Sequence, residues 1–374
     1  MKVLLLLALF ALSLFSENIE VGVRPYYLTS TLEASALKEK LSSCNKKVFK
    51  KSDFVIAHRG APFRYAEHTK ESYEAAIRMG AGILECDVTS TKDNELVCRH
   101  SVCDLDTTTN ILLTPLATKC TQNFIPYDVS TNTPASATCC TTDITLQEFY
   151  SLKGKMDKSN PKALDVESFV AMDDAGTLMS HKDSIKLFKR HNVKMIPEVK
   201  ISDTKLIDKL IQEYKDLHVD DSDVYIQSFH LNDILYIIKK YPSFAQKAVY
   251  LQEEFDHDFK KDIQQLASLK EKGVVTIAPP IWALLTLDSQ DNIVPSLYAK
   301  ALKKYGFKIT VWSLERSEMN PRTRGGWYYQ SIAKLISKNS DILKILHILD
   351  KEVGVQGVFS DWSATVTFYK NCIK

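Results

Sequence analysis

Eight short, almost continuously apolar runs alternate with amphipathic stretches along this 374-residue chain, and the pattern predicts an α/β fold, a TIM-type (β/α)8 barrel. Two further observations agree. The runs lack the polar–apolar alternation of a half-exposed sheet, as parallel strands covered by helices should. Charged and imidazole side chains collect at the C-terminal ends of the runs, where such barrels carry their chemistry. A doubly wound open sheet is the alternative, because one miscounted strand would change the fold class.

In chain order, residues 1–16 read as a signal peptide: a basic Met1-Lys2 start, an apolar stretch and a small residue, Ser16. Residues 17–51 form a polar, partly helical N-terminal extension with apolar spacing over 30–41. The barrel is expected over 52–374. Its first strand, 54–60, ends at His58-Arg59-Gly60, and a helix follows over 71–79. The second strand, 82–89, carries Glu85 and Asp87, and a short strand ends at His100. Residues 101–143 are rich in Thr, Pro, Asn and Cys and form an insertion after strand 2. The remaining strands are expected at 194–200, 224–229, 247–252, 274–279, 308–314 and 355–360, with helices at 203–217, 232–241, 259–270 and 295–305 between them. A second insertion, 315–352, follows strand 7 with an Arg-Gly-Gly turn and a helix of its own. Both insertions leave C-terminal strand ends and should crowd one face.

Composition narrows the class. With 45% apolar and 25% charged residues the chain has ample core; a net charge of +2 says nothing about nucleic acid, but the lack of basic runs argues against it. After the leader no stretch is apolar enough to span a membrane, and the polar last residues, 367–374, carry no lipid-anchor signal. The eight cysteines suggest disulfides in a secreted chain. Cys103, Cys120, Cys139 and Cys140 should staple the insertion, the adjacent Cys139 and Cys140 each pairing elsewhere. Cys44 and Cys372 would meet where the barrel closes, while Cys86 and Cys98 read as free buried thiols. Zinc would need tight ligand pairs such as C-x2-C, which are absent, and there is no N-x-S/T sequon.

Glu85 and Asp87, two apart on a strand, point to one side. With Glu198, at another strand end, they supply three oxygen donors, a set suited to Mg²⁺ or Ca²⁺. The plainer reading is a salt-bridged pair. His58 and His100, each at a strand end, could be packed caps; flanking a carboxylate pair, they suit general acid–base work. Arg59 and Lys200 add positive charge. Acids, a divalent cation and basic groups together describe a phosphate site. No P-loop and no G-x-S-x-G elbow is present.

These motifs together resemble the glycerophosphodiester phosphodiesterase family. His58-Arg59-Gly60 is similar to its opening signature, and Glu85-Cys86-Asp87-Val88 to its E-x-D-V strand. His100 matches the second histidine, followed by a Thr-rich turn at 107–110. Glu198-Val199-Lys200 matches its E-I-K strand, and Gln227-Ser228-Phe229, Val311-Trp312-Ser313 and 357–361 its later strands. The resemblance implies a TIM barrel that hydrolyses glycerophosphodiesters to sn-glycerol 3-phosphate and an alcohol. It implies His58 and His100 as acid–base pair, Glu85, Asp87 and Glu198 as metal ligands, Arg59 and Lys200 on the phosphate, and Trp312 near the glycerol. One divalent cation, Ca²⁺ or Mg²⁺, is expected, with a small-molecule substrate. The location would be extracellular or the lumen of a secretory or lysosome-like compartment. Three departures stand out: Ser101 where the family has aspartate, His68 where it has asparagine in Glu67-His68-Thr69, and the large Cys-rich insertion. Two other functions fit the same residues. One is a phospholipase-D-like enzyme for lysolipids or sphingolipids, with an apolar patch at 281–285; the other is a secreted binding barrel without catalysis.

Overall fold

The computed structural model describes residues 18–46, 48–172 and 175–373, so the signal peptide read at 1–16 lies outside the described residues. Eight parallel strands close a barrel: β1 (Ser52–Ala57), β2 (Ala81–Ser90), β3 (Lys194–Val199), β4 (Gln227–Ser228), β5 (Val249–Leu251), β6 (Thr276–Ala278), β7 (Lys308–Leu314) and β8 (Gly357–Ser360). Each strand pairs with the next, and β1 pairs with both β8 and β2, which completes the ring. No sheet edge is left within the ring. An added strand, Leu96–Cys98, runs antiparallel beside β2.

The strands close because each has two apolar sides. Ile56, Ile83, Ile196, Val249, Leu251, Ala278 and Phe359 point inward and fill the barrel. A larger core lies between the barrel and the surrounding helices. Those helices begin at side-chain caps: Thr69 accepts Ser72 N–H, Ser180 accepts Asp183 N–H, and Ser296 accepts Ala299 N–H. β4, β5 and β6 are only two or three residues long, shorter than their apolar runs suggest.

The extension holds two helices, Arg24–Thr31 and Ala36–Ser42, rather than one stretch over 30–41. Ser35 explains the break, since its hydroxyl accepts Lys38 N–H and starts the second helix. The first helix packs on the last helix of the chain, Ser363–Cys372, with Tyr26 edge-on to Phe368 at 4.9 Å, and Cys44–Cys372 ties the two ends together. In the insertion Cys103 joins Cys140 and Cys120 joins Cys139, so the two adjacent cysteines each pair elsewhere. Around them lies a separate small core that includes Val97, Leu105, Ile111, Phe149 and Phe169 and continues to Leu178.

Cys86 and Cys98 are not free thiols: they form a disulfide. A tight hairpin after β2 lays Leu96–Cys98 back along it, with Cys98 opposite Val88, so Cys86 sits diagonally across. The 281–285 stretch is core rather than a patch. Ile281, Ala283, Leu284 and Leu285 are buried, and only Trp282 reaches an aromatic cluster above the barrel.

Candidate active site

Register assembles the site. Asp87 on β2 lies opposite Glu198 on β3, which lies opposite Gln227 on β4. One row across three strands therefore carries two carboxylates and an amide. Glu85, two residues before Asp87, faces the same way and accepts a hydrogen bond from Gln227 Nε2 at 2.7 Å. Ligand oxygens of Glu85, Asp87 and Glu198 all lie within 4.8 Å of one another.

At the end of β1 the backbone turns sharply. Arg59 and Gly60 both have positive φ, 54° and 95°. A Cβ on Gly60 would meet Ser72 Oγ at 2.4 Å, so the turn needs glycine on both counts. The turn points Arg59 N–H at Glu85 Oε2, 2.9 Å away, and Arg59 Nη1 donates to Glu67 Oε2 at 3.0 Å. His58 sits beside them. Its Nδ1 is 2.5 Å from Asp361 Oδ1, and its Nε2 lies 4.0 Å from Glu85 Oε2. A carboxylate can only accept, so Nδ1 donates and Nε2 keeps its lone pair toward the cavity.

His68, where the resemblance leads one to expect asparagine, has a definite structural role. Its fully buried ring bridges Tyr73 Oη at 2.8 Å and Asp87 Oδ2 at 3.0 Å, which fixes that carboxylate. Ser101 makes no comparable contact with His100: its N–H donates to Asp104 Oδ2 at 2.9 Å, so the aspartate three residues on holds the backbone next to His100. Arg99, fully buried, donates to Glu67 O and to Thr108 Oγ1 and anchors the end of the short strand.

Burial sets the charge pattern. It raises Glu85 well above the usual carboxylate range, with Asp87 and Glu198 adding repulsion. Burial and Asp87 raise Glu198 to about 7. Asp87 moves the other way: burial would raise it, but His68, Lys200 and Arg59 together hold it well below. Burial lowers His58 against the pull of Asp361, and burial with the Arg59 charge lowers His100 to about 3. For both rings burial thus favours the neutral form. Three clustered buried carboxylates, two of them pushed up by burial and mutual repulsion, are the arrangement a divalent cation relieves. Asp87 Oδ1 is buried with no hydrogen-bond partner, an acceptor left over for such an ion. The donors are all oxygen, so the residues fit Mg²⁺ or Ca²⁺.

All eight residues singled out from sequence meet around one place. His58, Arg59, Glu85, His100, Glu198, Lys200 and Trp312 line a cavity of about 520 Å³ at the C-terminal end of the barrel, and Asp87 lies just beneath it against Glu85 and Glu198. A family profile, that of the glycerophosphoryl diester phosphodiesterases, matches residues 58–365. The chain belongs to this family. An "Extracellular protein" of Arthroderma benhamiae is 36% identical over 242 residues, 58% of this chain and 99% of that one. A glycerophosphodiester phosphodiesterase of Bacillus subtilis is 46% identical over 56 residues, a match that takes in only 19% of its length and 15% of this chain. Among solved structures, a glycerophosphodiester phosphodiesterase from Parabacteroides distasonis superposes with TM-score 0.51 at 18% identity, covering 87% of this chain and 100% of that one. A phosphodiesterase of Oleispira antarctica, solved with its product sn-glycerol-3-phosphate, gives 0.52 at 15% identity over 86% and 97%. Likeness at that identity speaks for the shared barrel.

Several site residues were not singled out from sequence. Asp361 could have been found, because it directly follows the last strand, as His58 follows the first. Gln227 stands in a family-like strand motif without a role, and the register beside Glu198 supplies one. Arg316, two residues past the end of β7, also lines the cavity and could have been found at that strand end; Trp327 and Tyr328 come from farther along the insertion after β7, whose path no strand-end rule gives. Gly325 and Gly326, with φ of 77° and 56°, turn that segment back. A Cβ on Gly325 would lie 2.5 Å from the Tyr329 ring. The turn lays Trp327 against Trp312, ring centroids 5.5 Å apart, with Phe229 edge-on to Trp312 at 5.7 Å.

Proposed function

We propose that this chain is a secreted, metal-dependent glycerophosphodiester phosphodiesterase that releases sn-glycerol 3-phosphate and an alcohol. The observation that carries the reading is the convergence of two histidines, three carboxylates, Arg59 and Lys200 on one cavity. Glu85, Asp87 and Glu198 would hold Ca²⁺ or Mg²⁺, which supplies charge neutralisation for the phosphate. Arg59 and Lys200 orient the phosphate oxygens and stabilise the charge that grows on them in the transition state. His58 Nε2 accepts the proton of the attacking water or glycerol hydroxyl, and Asp361 steadies the imidazolium that results. His100, its basicity raised by the bound phosphate, donates a proton to the departing alkoxide. Trp312 offers a flat apolar face to the glycerol carbons.

Secretion is supported by the leader-like start, the four disulfides and the name of the fungal relative. Among the described residues no helix is long and apolar enough to cross a membrane.

The test is a substrate panel with and without chelator. Glycerophosphocholine should be hydrolysed, turnover should vanish with chelator, and Ca²⁺ or Mg²⁺ should restore it. Metal-independent turnover would remove the carboxylate-site role. The panel includes a long-chain lysolipid because Trp327 is 43% exposed at the cavity mouth. Preference for the lysolipid would favour the phospholipase-D-like reading, and binding without product would favour a non-catalytic barrel.

A further inference from the structure

Three cations line the cavity, and they are held differently. Arg59 donates Nη1 to Glu67 at 3.0 Å, has Nε 3.5 Å from Asp87, and its side chain is 7% exposed. Lys200 Nζ lies 2.6 Å from Glu198, with the side chain 16% exposed. Arg316 follows β7, is 26% exposed, and has only long carboxylate contacts: Nη1 is 3.4 Å from Asp361 Oδ2 and Nη2 is 3.8 Å from Glu67 Oε2. Its charge also bears on the Tyr328 hydroxyl.

Contacts of that length are loose ion pairs, not the short bidentate bonds of a locked guanidinium. Both acid partners already have a closer one, Asp361 in His58 and Glu67 in Arg59. Removing Arg316 from them therefore leaves neither carboxylate alone. The guanidinium, with five donors in a planar fork, is matched to two phosphate oxygens. Arg316 also stands in the wall between the site cavity and a neighbouring one of about 660 Å³, lined in part by Arg24, Phe63 and Met319. It can turn into the site without displacing a packed core.

We propose that Arg316 is a third phosphate-binding residue, which exchanges its long contacts to Asp361 and Glu67 for the non-bridging oxygens of the bound phosphodiester. This rests on the phosphodiesterase reading above. No second acid site, nucleophile or cofactor is invoked: Arg316 binds charge and moves no proton.

The experiment compares wild type, R316Q, R316K and R322Q, all with the same divalent cation. Arg322 is an exposed arginine of the same insertion. The readouts are kcat and KM on glycerophosphocholine, Tm, and calorimetric affinity for inorganic phosphate and for sn-glycerol 3-phosphate. R316Q should bind both anions about 10-fold more weakly and lose roughly 10²-fold in kcat/KM at unchanged Tm, with R316K between it and wild type. R322Q should match wild type. If R316Q binds and turns over like wild type, the assignment is overturned while the function stands. Should R316Q lose Tm, R316K decides: intermediate anion affinity supports the assignment, and wild-type affinity overturns it. A wild-type enzyme that hydrolyses no phosphodiester and binds neither anion overturns the proposed function itself.

Discussion

The two sides of the barrel mouth are built from different chemistry. On the side of β1 to β4 the cavity wall is charged: His58, Arg59, Glu85, Glu198 and Lys200 stand on or directly after strands, backed by Asp87 and Gln227. Toward β7 it is aromatic, with Trp312 joined by Trp327 and Tyr328 from the insertion. Groups on the charged side are cross-braced by bonds of 2.5–3.0 Å, such as His58 to Asp361, His68 to Asp87 and Gln227 to Glu85. The aromatic rings are held mainly by packing, though the Trp312 indole N–H donates to Ala278 O and Arg316 reaches the Tyr328 hydroxyl. The contrast separates two tasks. Charge development needs donors held in place, and strands provide all but Arg316, which follows β7 in the insertion. Fitting an alcohol group tolerates movement, and a loop provides that.

The comparison breaks first at kcat. His58→Ala should cut kcat by about 10³-fold with KM little changed, and Asp361→Asn by about 10²-fold, since the ring keeps its place but loses the charge that steadies it. Trp312→Ala should act mainly on KM. Steady-state kinetics on glycerophosphocholine decide it: a fall in kcat for Trp312→Ala as large as that for His58→Ala would erase the division.

A smaller effect is expected from Trp327→Ala. The ring stacks on Trp312 and is partly exposed, so its loss should raise KM by roughly 3- to 10-fold, the scale of one aromatic contact, and leave Tm within a degree or two. The rise should depend on the alcohol group. Equal KM changes across glycerophosphocholine, glycerophosphoethanolamine and a lysolipid would show that Trp327 does not read that group.

The charged side was legible in the sequence because strand ends are few and chemistry concentrates there. All eight strands and, apart from Asp361, the acid–histidine set could be placed without coordinates. What stayed hidden depends on pairing and loop path. Cys86–Cys98 needs the hairpin that folds Leu96–Cys98 back on β2, and nothing in either cysteine's own surroundings signals it. Trp327 arrives through a Gly-Gly turn whose direction is set by Tyr329 packing, a tertiary fact. Trp282 was read as part of an apolar patch, but Ile281, Ala283, Leu284 and Leu285 are all buried in the core and leave it alone among rings.

Ser101 gives the smallest and sharpest test, because it stands where the family's aspartate is expected. The nearby carboxylate is Asp104, which accepts Ser101 N–H and is raised by burial from 3.8 to about 6. The folded chain thus holds this proton more tightly than the unfolded one. Its stabilising contribution is complete below about pH 4 and is lost as pH rises through about 6. Asp104→Asn keeps an acceptor for Ser101 N–H and removes the titration. The variant should therefore gain on wild type between pH 4 and pH 7, by an amount on the order of 2–3 kcal/mol at most. Denaturant unfolding of both proteins at the two pH values measures the gap. A gap that does not change with pH would mean that Asp104 is not the buried acid of this loop. If the gap opens and kcat stays near wild type, the loop beside His100 is held by its fold and not by the charge of Asp104, and the division between a charged wall and its supports extends to that histidine.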